Sequence, residues 1–314
     1  MDKDRPLLIL APMYNVTDTV FRQVVAACAP PDVFITEFVN VDGLQSPGRP
    51  KLLPYLYLEE TGVPVWAQIW GKRPENYRRT AQELAAAGFA GIDINMGCPD
   101  KAVVKNDACS ALIKPANRPL AAEIIAATKE GAANLPVSVK TRLGFGDIDL
   151  SWHEFLLGQD LACLSVHGRT VAEKSKVPAH WPEIGQVKAL AARLSPQTKV
   201  IGNGDIGSRE EALRLCETYD LDGAMIGRAI FEDPFLFAER SPWPAMVAED
   251  KIKLYLRHLE TFAGTYAGSE RNFEPLKKFM KVYLSGFQHA QNLRLRIAAS
   301  RSAGEAIAVL KAAL

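Results

Sequence analysis

The pentapeptide Asn95-Met96-Gly97-Cys98-Pro99 places a thiol where it could act on a ligand. It follows the apolar run 91–94, so it lies where a buried strand ends and a loop begins. The glycine lets the backbone turn before the cysteine, and the proline stiffens the chain after it. A thiol there could donate a proton or attack a substrate. The alternative is a small buried thiol that fills a gap, because free cysteine is frequently buried and inert.

Further polar side chains lie at the ends of other strand-like runs. Lys140 and Arg142 alternate along one run and share a face, and a buried lysine is costly unless an anion faces it. Glycines after the last two strands are typical of a phosphate site, because backbone N–H groups point at the ligand there. A cofactor with a phosphate and an electron-rich ring would account for the whole set, namely Gln68, Lys140, His167, Gly202, Asn203, Gly204, Asp205, Gly227 and Arg228.

Each of these residues also has a structural alternative. The glycines Gly202 and Gly204 could make a tight turn, and His167 could be a core histidine bonded to a backbone carbonyl. Lys140 could form an ion pair with Asp93. Their shared position at strand ends favours a common site, because the carboxyl ends of barrel strands converge on one rim.

Eight short apolar runs alternate with helix-like stretches and predict a (β/α)8 barrel, an α/β fold. The absence of a GxGxxG fingerprint after the first run weakens the doubly wound alternative. Capping residues predict three helices at 74–87, 118–133 and 208–218, the last with Ser208 and Glu211 as a capping box. The predicted strands are residues 7–13, 33–39, 63–70, 91–95, 136–142, 162–167, 199–203 and 223–226.

The alternation stops after Asp233-Pro234, and the chain is helix-like after Pro242-Trp243-Pro244. We therefore predict a catalytic barrel over residues 1–242 and a helical domain over 243–314. Residues 245–314 contain eleven Lys or Arg and six Asp or Glu, although the whole chain carries a net charge of only +1. A basic appendage on a mildly acidic body suggests a polyanionic partner. The alternative is a solvated helical surface that is basic without function.

Composition limits the class of protein further. A chain of 314 residues with 48% hydrophobic residues can bury a large core. Its five scattered cysteines form no CxxC pair, which argues for a reducing compartment and against a zinc site or a disulfide framework. The charged residues 1–5 do not resemble a signal peptide, and no run approaches the ~20 apolar residues of a membrane helix. We expect a cytoplasmic protein with no membrane partner and no metal.

In its motifs and their order, the chain closely resembles the dihydrouridine synthases, the flavin enzymes that reduce uridine in tRNA. The similarity covers roughly residues 7–235 and extends more loosely into the helical tail. Residues 35–39, which include Glu37, are most similar to the branch that acts on position 16 of bacterial tRNA. The motifs that carry the resemblance are Leu10-Ala11-Pro12-Met13, Thr17-Asp18, Phe21-Arg22, residues 95–99, 140–144 and 167–170, Asn203-Gly204-Asp205 and Ile226-Gly227-Arg228.

The resemblance implies a role for each matching position. Cys98 is implied as the general acid, and Glu37, Asn95 and Arg142 as contacts to the target uracil or the tRNA. The implied FMN contacts are Pro12, Met13, Tyr14, Gln68, Lys140, His167, Asn203, Gly204, Asp205, Gly227 and Arg228, of which the last two lie near its phosphate.

The implied chemistry is coherent. Reduced flavin delivers hydride from N5 to C6 of the uracil, Cys98 protonates C5 from the opposite side, and NADPH re-reduces the flavin. A thiol of pKa near ~8.5 is mostly protonated at neutral pH, which suits an acid. The uracil must leave its stack, so the enzyme needs a hold on the D-loop of the tRNA. The basic tail would supply it, with Lys277, Lys278 and Lys281 spaced to share a helix face, and we expect a monomer.

Three positions depart from the family pattern. Asn15 stands where glycine is usual, although asparagine tolerates left-handed geometry better than most residues. Cys109 replaces a glycine and puts a second thiol on the catalytic loop, either as packing or as a partner for Cys98 under oxidation. The stretch 173–178 lacks a common tyrosine-glycine pattern. These changes bear on substrate position and rate more than on reaction class.

Three other functions remain open. The first is an FMN barrel oxidoreductase on a free pyrimidine, as in dihydroorotate or dihydropyrimidine dehydrogenases, for which the basic tail would have no use. The second is an RNA-binding homologue without turnover, against which the intact Cys98, Lys140 and Arg142 argue. The third is a purely structural barrel, which the polar rim disfavours.

Overall fold

A closed barrel of parallel strands forms the centre of the computed structural model, which describes residues 5–269 and 271–314. All strand pairs are parallel, and the ring runs β1–β2–β4–β5–β6–β7–β8–β9 and back to β1. The predicted (β/α)8 barrel is therefore confirmed. The strands are β1 (Leu7–Leu10), β2 (Val33–Ile35), β3 (Val39–Asn40), β4 (Val65–Trp70), β5 (Gly91–Asn95), β6 (Val137–Arg142), β7 (Cys163–His167), β8 (Lys199–Asn203) and β9 (Gly223–Ile226).

The second predicted strand, residues 33–39, is in fact two strands. Both β2 and β3 pair with β4, and β3 lies further along it. Between them the hydroxyl of Thr36 accepts from the Gln68 N–H (3.0 Å) and donates to the Glu37 carbonyl (2.8 Å). A side chain thus replaces the backbone ladder at this point, which interrupts the strand. The break lies at the barrel rim, beside Glu37.

Helices surround the barrel in the order α1 (Thr19–Cys28), α2 (Val41–Leu44), α3 (Arg49–Leu52), α4 (Pro74–Ala86), α5 (Lys101–Lys105), α6 (Arg118–Gly131), α7 (Leu150–Leu157), α8 (Trp181–Leu194) and α9 (Arg209–Thr218). The three predicted helices are present, with ends that differ by one or two residues. The Ser208 hydroxyl caps α9 by accepting from the Glu211 N–H (3.1 Å), as the capping box predicts. Short 3₁₀ helices lie at Leu53–Leu56, Cys109–Ile113, Pro115–Asn117 and Arg228–Phe231.

Two apolar layers hold this arrangement together. Inside the barrel a small cluster is formed by side chains of β1, β2, β7, β8 and β9, among them Ile9, Ile35 and Ile201. A much larger cluster lies between the strands and the helices and continues without a break into the C-terminal region. Helices α4 and α6 approach most closely at Gly131, where a Cβ atom would lie 2.1 Å from the Arg78 carbonyl oxygen.

The C-terminal region is helical, as predicted, and packs on α1. The Phe21 ring lies 5.6 Å from His258 and 4.7 Å from Phe279, between ring centroids. The Tyr266 hydroxyl donates to Asp18, the N-cap of α1 (3.3 Å). Its helices are α10 (Ala248–Thr265), α11 (Met280–Tyr283), α12 (Ala290–Ala299) and α13 (Ala303–Lys311), with 3₁₀ helices at Trp243–Ala245 and Glu274–Phe279.

Two sequence-based predictions concern membranes and targeting. In the described part of the chain, no helix combines the length and apolar character needed to span a membrane. The prediction that the N-terminus is not a signal peptide rests largely on residues 1–4, which lie outside the described residues.

Candidate active site

A cavity of about 610 Å³ opens at the carboxyl ends of the barrel strands. This rim is where barrel folds keep their functional groups. Most of the predicted strand-end residues line it together, although they come from distant parts of the sequence. The lining includes Ala11, Pro12, Met13, Pro99, Lys140, Arg142, His167, Arg169, Lys174, Asn203, Gly204, Asp205, Ile206, Gly227 and Arg228.

Lys140 lies in the wall of this cavity without a carboxylate partner. Its amine donates to the side-chain oxygen of Asn203 (3.1 Å), and it forms no ion pair with any described residue. Burial, followed by repulsion from Arg142, lowers the pKa of Lys140 to about 8. The alternative ion pair with Asp93 is not formed, because the Asp93 carboxylate instead accepts from Gln68 (2.6 Å) and from a serine hydroxyl on β6. A half-buried cation with a neutral partner is suited to an anionic or electron-rich ligand.

His167 is held in one tautomer by its neighbour Arg169. A guanidinium can only donate, and Arg169 Nη1 lies 3.2 Å from His167 Nε2, so Nε2 accepts and Nδ1 carries the proton. Burial, followed by repulsion from Lys140 and other cations, lowers the pKa of His167 to about 2. The imidazole is therefore neutral at physiological pH and presents an N–H donor.

Asp205 connects two arginines at the next part of the rim. Its carboxylate accepts from Arg169 and from Arg228 Nη2 (3.1 Å), and also from the Ala179 N–H (3.0 Å). The hydrogen bond from Arg169 is the main reason that the pKa of Asp205 is lowered. The side chain of Arg228 remains 70% exposed and lines the cavity.

The turn after β8 brings backbone close to this part of the cavity. Gly204 has φ +132°, and a Cβ atom there would lie 2.8 Å from the Ala179 Cβ and 3.3 Å from the His167 ring. Only glycine fits this conformation and this space. Gly227 precedes the 3₁₀ helix Arg228–Phe231, so small residues and a cation adjoin at one end of the cavity.

The loop that carries Cys98 is fixed by Asn95 at the end of β5. The Asn95 side-chain oxygen accepts from the N–H groups of Gly97 (3.1 Å) and Cys98 (3.0 Å). Its amide group donates to the side-chain oxygen of Gln68 (3.1 Å). Gln68 is fully buried and bonds to Asp93 and Asn95, and it is not part of the cavity lining. These amides therefore set the position of the Cys98 loop.

Arg142 joins that loop to the one after β7. Its Nε donates to the Gly97 carbonyl (2.8 Å), and its Nη1 donates to the carbonyls of Thr170 (3.1 Å) and Lys174 (3.0 Å). Arg142 Nη2 has no protein partner among the described residues, and Arg142 lines the cavity. The guanidinium can therefore hold two loops and still donate to a ligand.

Burial is the main influence on the Cys98 thiol. It raises the pKa of Cys98, against the opposing effects of a backbone hydrogen bond and of the cations Arg142 and Lys140. The thiol is therefore protonated at neutral pH. Cys109, the second thiol of the loop, is buried and has φ +49°, a left-handed conformation that favours glycine.

Several predicted site residues lie outside this cavity. The Tyr14 ring is half exposed and stacks on Tyr55 with centroids 5.8 Å apart. Glu37 is fully buried, and its carboxylate accepts from the Asn15 N–H and from Arg271 (2.7 Å). The geometry does not test the predicted roles of Tyr14 and Glu37, which stay predictions.

The three predicted tail lysines do not share one continuous α-helix. Lys277 and Lys278 lie in the 3₁₀ helix Glu274–Phe279, and Lys281 lies in α11. Lys277 donates to Glu274 (2.7 Å) and to the Ala298 carbonyl (3.0 Å). Lys278 donates to the Asn15 carbonyl (2.8 Å), so it joins the tail to the barrel. Lys281 is exposed and has no partner among the described residues.

Two arginines, Arg169 and Arg271, contact predicted site residues but were not themselves predicted from the sequence. Arg169 follows His167 by two residues, so a strand-end pattern could have included it. Arg271 has no local signal, because its partner Glu37 lies 234 positions away. Among the described residues, no group of three or more His, Cys, Asp or Glu side chains could hold a metal ion.

Comparisons with known proteins are consistent across the whole chain. The family model described as dihydrouridine synthase matches residues 9–314. The chain is 44% identical over 311 residues to the probable tRNA-dihydrouridine synthase 2 of Bacillus subtilis (strain 168), covering 98% of this chain and 93% of that protein. It is 45% identical over 310 residues to the probable tRNA-dihydrouridine synthase of Staphylococcus aureus (strain COL), covering 98% and 92%.

Among solved structures, morphinone reductase superposes with a TM-score of 0.51 over 73% of this chain and 84% of its own. The two sequences are 13% identical, so this likeness concerns the barrel fold alone.

Proposed function

The chain belongs to the dihydrouridine synthase family, and from this premise we propose that it is an FMN-dependent tRNA-dihydrouridine synthase with NADPH as reductant. It reduces the C5=C6 bond of a uridine in the D-loop. The proposal rests mainly on the protonated thiol of Cys98, which lies on a loop held by Arg142. Beside it is a cavity lined by Lys140, a half-buried cation with no carboxylate partner among the described residues.

The residues of the cavity fit FMN. An electron-rich ring system would interact favourably with the half-buried Lys140 amine, and the neutral His167 would offer an N–H donor to a ring carbonyl. The part of the cavity lined by Gly204, Gly227 and Arg228 suits a phosphate, because the largely exposed Arg228 guanidinium supplies a positive charge there. A cavity of about 610 Å³ is in the range of cofactor sites. When bound, FMN would supply the hydride that C6 of the uracil receives.

The protein residues would supply orientation and the proton. Cys98 would hold a proton in its raised-pKa thiol and release it to C5. Arg142 would donate to a uracil carbonyl through Nη2, which has no partner among the described residues, while its Nε and Nη1 hold the Cys98 loop. Asn95 would fix that loop through the hydrogen bond that its side-chain oxygen accepts from the Cys98 N–H, and so set the position of the thiol. We retain Gln68, Pro12, Met13, Tyr14, Asn203 and Asp205 as FMN residues and Glu37 as an RNA residue, as proposals.

The helical tail would hold the tRNA. We propose that residues 243–314 form a tRNA-binding domain on a catalytic barrel of residues 1–242, since the tail carries an excess of basic residues. Lys281 is the clearest candidate for a phosphate contact, because it is exposed and unpartnered among the described residues. We further propose that the protein acts as a monomer in the cytoplasm. Residues 35–39 favour position 16 as the target.

A direct assay tests this function. The purified protein is incubated with FMN, NADPH and unmodified tRNA transcript, and the RNA is examined by mass spectrometry for a gain of two hydrogens on uridine. We expect the gain at one D-loop position. NADH in place of NADPH tests the reductant, and sedimentation of the protein alone tests the monomer.

The other outcomes separate the alternatives. Flavin and RNA binding with no gain on any transcript would favour an RNA-binding homologue without turnover. Flavin binding with neither RNA binding nor a gain would favour an oxidoreductase on a free pyrimidine, for which dihydroorotate and uracil are the substrates to assay.

A further inference from the structure

A second cavity, of about 540 Å³, lies between the barrel and the helical tail. It adjoins the first cavity along the chain, because Met13 lines the first, Asn15 lines the second, and one residue separates them. Its walls come from α3 and the 3₁₀ segment after it, and from the part of the tail between α10 and α11. The lining is Asn15, Pro50, Lys51, Pro54, Tyr55, Tyr57, Ser269, Arg271, Asn272 and Pro275.

Arg271 leaves a buried donor without a partner in this cavity wall. Its side chain is 9% exposed, and its Nη2 pairs with Glu37 (2.7 Å) and lies 3.8 Å from Asp18. Its Nη1 has no hydrogen-bond partner among the described residues, although it is buried. A buried guanidinium nitrogen without an acceptor is rare and calls for an oxygen ligand. Lys51, exposed on the same cavity, adds a second cation without a partner among the described residues.

Two tyrosines, Tyr55 and Tyr57, line the cavity, and Tyr57 is the more exposed of them. Tyr55 stacks on Tyr14, and the Arg271 guanidinium lies 4.3 Å from its ring, so both groups cover it. Tyr57 stacks on Tyr266 at 5.9 Å but remains 40% exposed. The Tyr57 backbone is fixed, because its carbonyl accepts from Arg22 (2.9 Å), which is itself paired with Glu59. A rigid, half-exposed aromatic ring is a stacking surface for a planar base.

Asn15 completes the set with an unused amide. Its backbone has φ +55° and is fixed at both ends, by Glu37 at the N–H and by Lys278 at the carbonyl. Its side-chain amide has no partner among the described residues. An amide offers both a donor and an acceptor, which suits the edge of a base. Since glycine would relieve the left-handed backbone, the side chain here is not required by the fold.

We propose that this second cavity binds a nucleotide flanking the reduced uridine, with its phosphate at Arg271 and Lys51, its base on Tyr57 and its base edge at Asn15. The inference rests on the proposed function, since it concerns the same RNA. Cations, an aromatic face and an unused amide are together the chemistry of single-stranded RNA recognition. The position beside the first cavity suits a neighbour of the base that has left the stack.

The test couples protein variants with single abasic sites. Tyr57→Leu, Asn15→Gly and Lys51→Ala are compared with the wild type and with Lys199→Ala, an exposed lysine at the opposite end of the barrel. Each is titrated with intact transcript and with transcripts that lack one D-loop base. We expect Tyr57→Leu to bind intact tRNA with about tenfold lower affinity than the wild type. We also expect that removing the base at one D-loop position lowers the affinity of the wild type about tenfold. The same abasic transcript should bind Tyr57→Leu as well as the intact transcript does.

Bound flavin and the NADPH oxidation rate without RNA should be unchanged in these variants, which controls for folding. The inference would be overturned if the affinity losses from Tyr57→Leu and from each abasic position were additive at every position. It would also be overturned if all three variants bound tRNA as tightly as the wild type. Saturation by free uridine monophosphate at micromolar concentration, without coupling to any abasic site, would assign the cavity to a small ligand instead. A wild-type protein that neither binds nor reduces tRNA would contradict the proposed function itself, before any variant is compared.

Discussion

At Cys98, burial and neighbouring charge act on one thiol in opposite directions. Loss of water raises its pKa, whereas Arg142 and Lys140 favour the thiolate. Because burial has the larger effect, the side chain keeps its proton and suits a general acid rather than a nucleophile. A nucleophilic cysteine would need the reverse balance.

Replacing Cys98 should separate chemistry from binding. Cys98→Ala should retain bound flavin and tRNA affinity but lose about 100-fold or more of the dihydrouridine formation rate, because proton donation typically contributes that much. The measurement is single-turnover mass spectrometry beside the flavin absorption spectrum. Cys216→Ala, which removes another buried thiol on α9, is the matched control and should keep full activity. Full activity in Cys98→Ala would remove this thiol from the mechanism.

Lys140 should make flavin binding depend on pH. Its pKa of about 8 in the flavin-free protein should rise when an electron-rich group binds against it, so binding takes up a proton above pH 8. FMN affinity should therefore be flat below that pH and fall above it, by at most about tenfold per pH unit. Fluorescence titration at a series of pH values measures this. Lys140→Met should bind more weakly with no such decline, and an equal decline in that variant would contradict the assignment.

Many of these residues could be predicted from sequence because strand ends converge in a barrel. Lys140, His167, Asn203 and Arg228 meet at one cavity for that reason. Their hydrogen-bond partners could not be predicted, because a choice such as Asn203 over Asp93 for Lys140 depends on strand register. The fixed tautomer of His167 likewise depends on a contact that only the fold creates.

Among the secondary-structure elements, the regular alternation of strands and helices predicted the barrel. It did not predict the break in the second strand or the shortest helices. Periodicity merged β2 and β3 into one strand, since it cannot detect that the Thr36 hydroxyl takes the place of a ladder bond. The predicted helix ends were accurate where a capping residue defines them, as at Ser208. The short α5 and the 3₁₀ helix Cys109–Ile113 carry no strong periodic signal.

The close contact between α4 and α6 should require glycine at position 131. Gly131→Ala would place that atom 2.1 Å from the Arg78 carbonyl oxygen, so the helices must separate. We expect a loss of about 1–3 kcal/mol in the free energy of unfolding, as in other overpacked interfaces. Urea denaturation followed by circular dichroism measures it. Gly146→Ala, with no atom within 4 Å of the new Cβ, should change the free energy by less than about 0.5 kcal/mol.

At the scale of the molecule, the tail charge is less available than the sequence suggests. Counting residues shows an excess of basic side chains, but Lys277 and Lys278 are bonded to the protein itself. The sequence spacing could not show this, because one partner lies in the barrel 263 positions away. Lys281 is the member of the trio that remains available to a phosphate among the described residues.

The salt dependence of tRNA binding should distinguish these lysines. Lys281→Ala should weaken binding and reduce the slope of log affinity against log salt by about 1, since one released counterion is lost. Lys277→Ala should leave the slope nearly unchanged, because its amine is held by Glu274 and Ala298. Filter binding at a series of salt concentrations measures both. Equal slopes for all three proteins would move the RNA surface elsewhere on the molecule.

The packing of the tail on α1 has a consequence for the order of events during synthesis. Asp18 precedes its partner Tyr266 by 248 residues, and Phe21 likewise lies far ahead of its partner Phe279 in the chain. Until these tail residues have been made, the face of α1 that they cover is exposed. The barrel strands can therefore pair while α1 still lacks its final contacts, which form only once the tail has been made. Chains truncated before the tail should accordingly bind chaperones through this apolar face of α1.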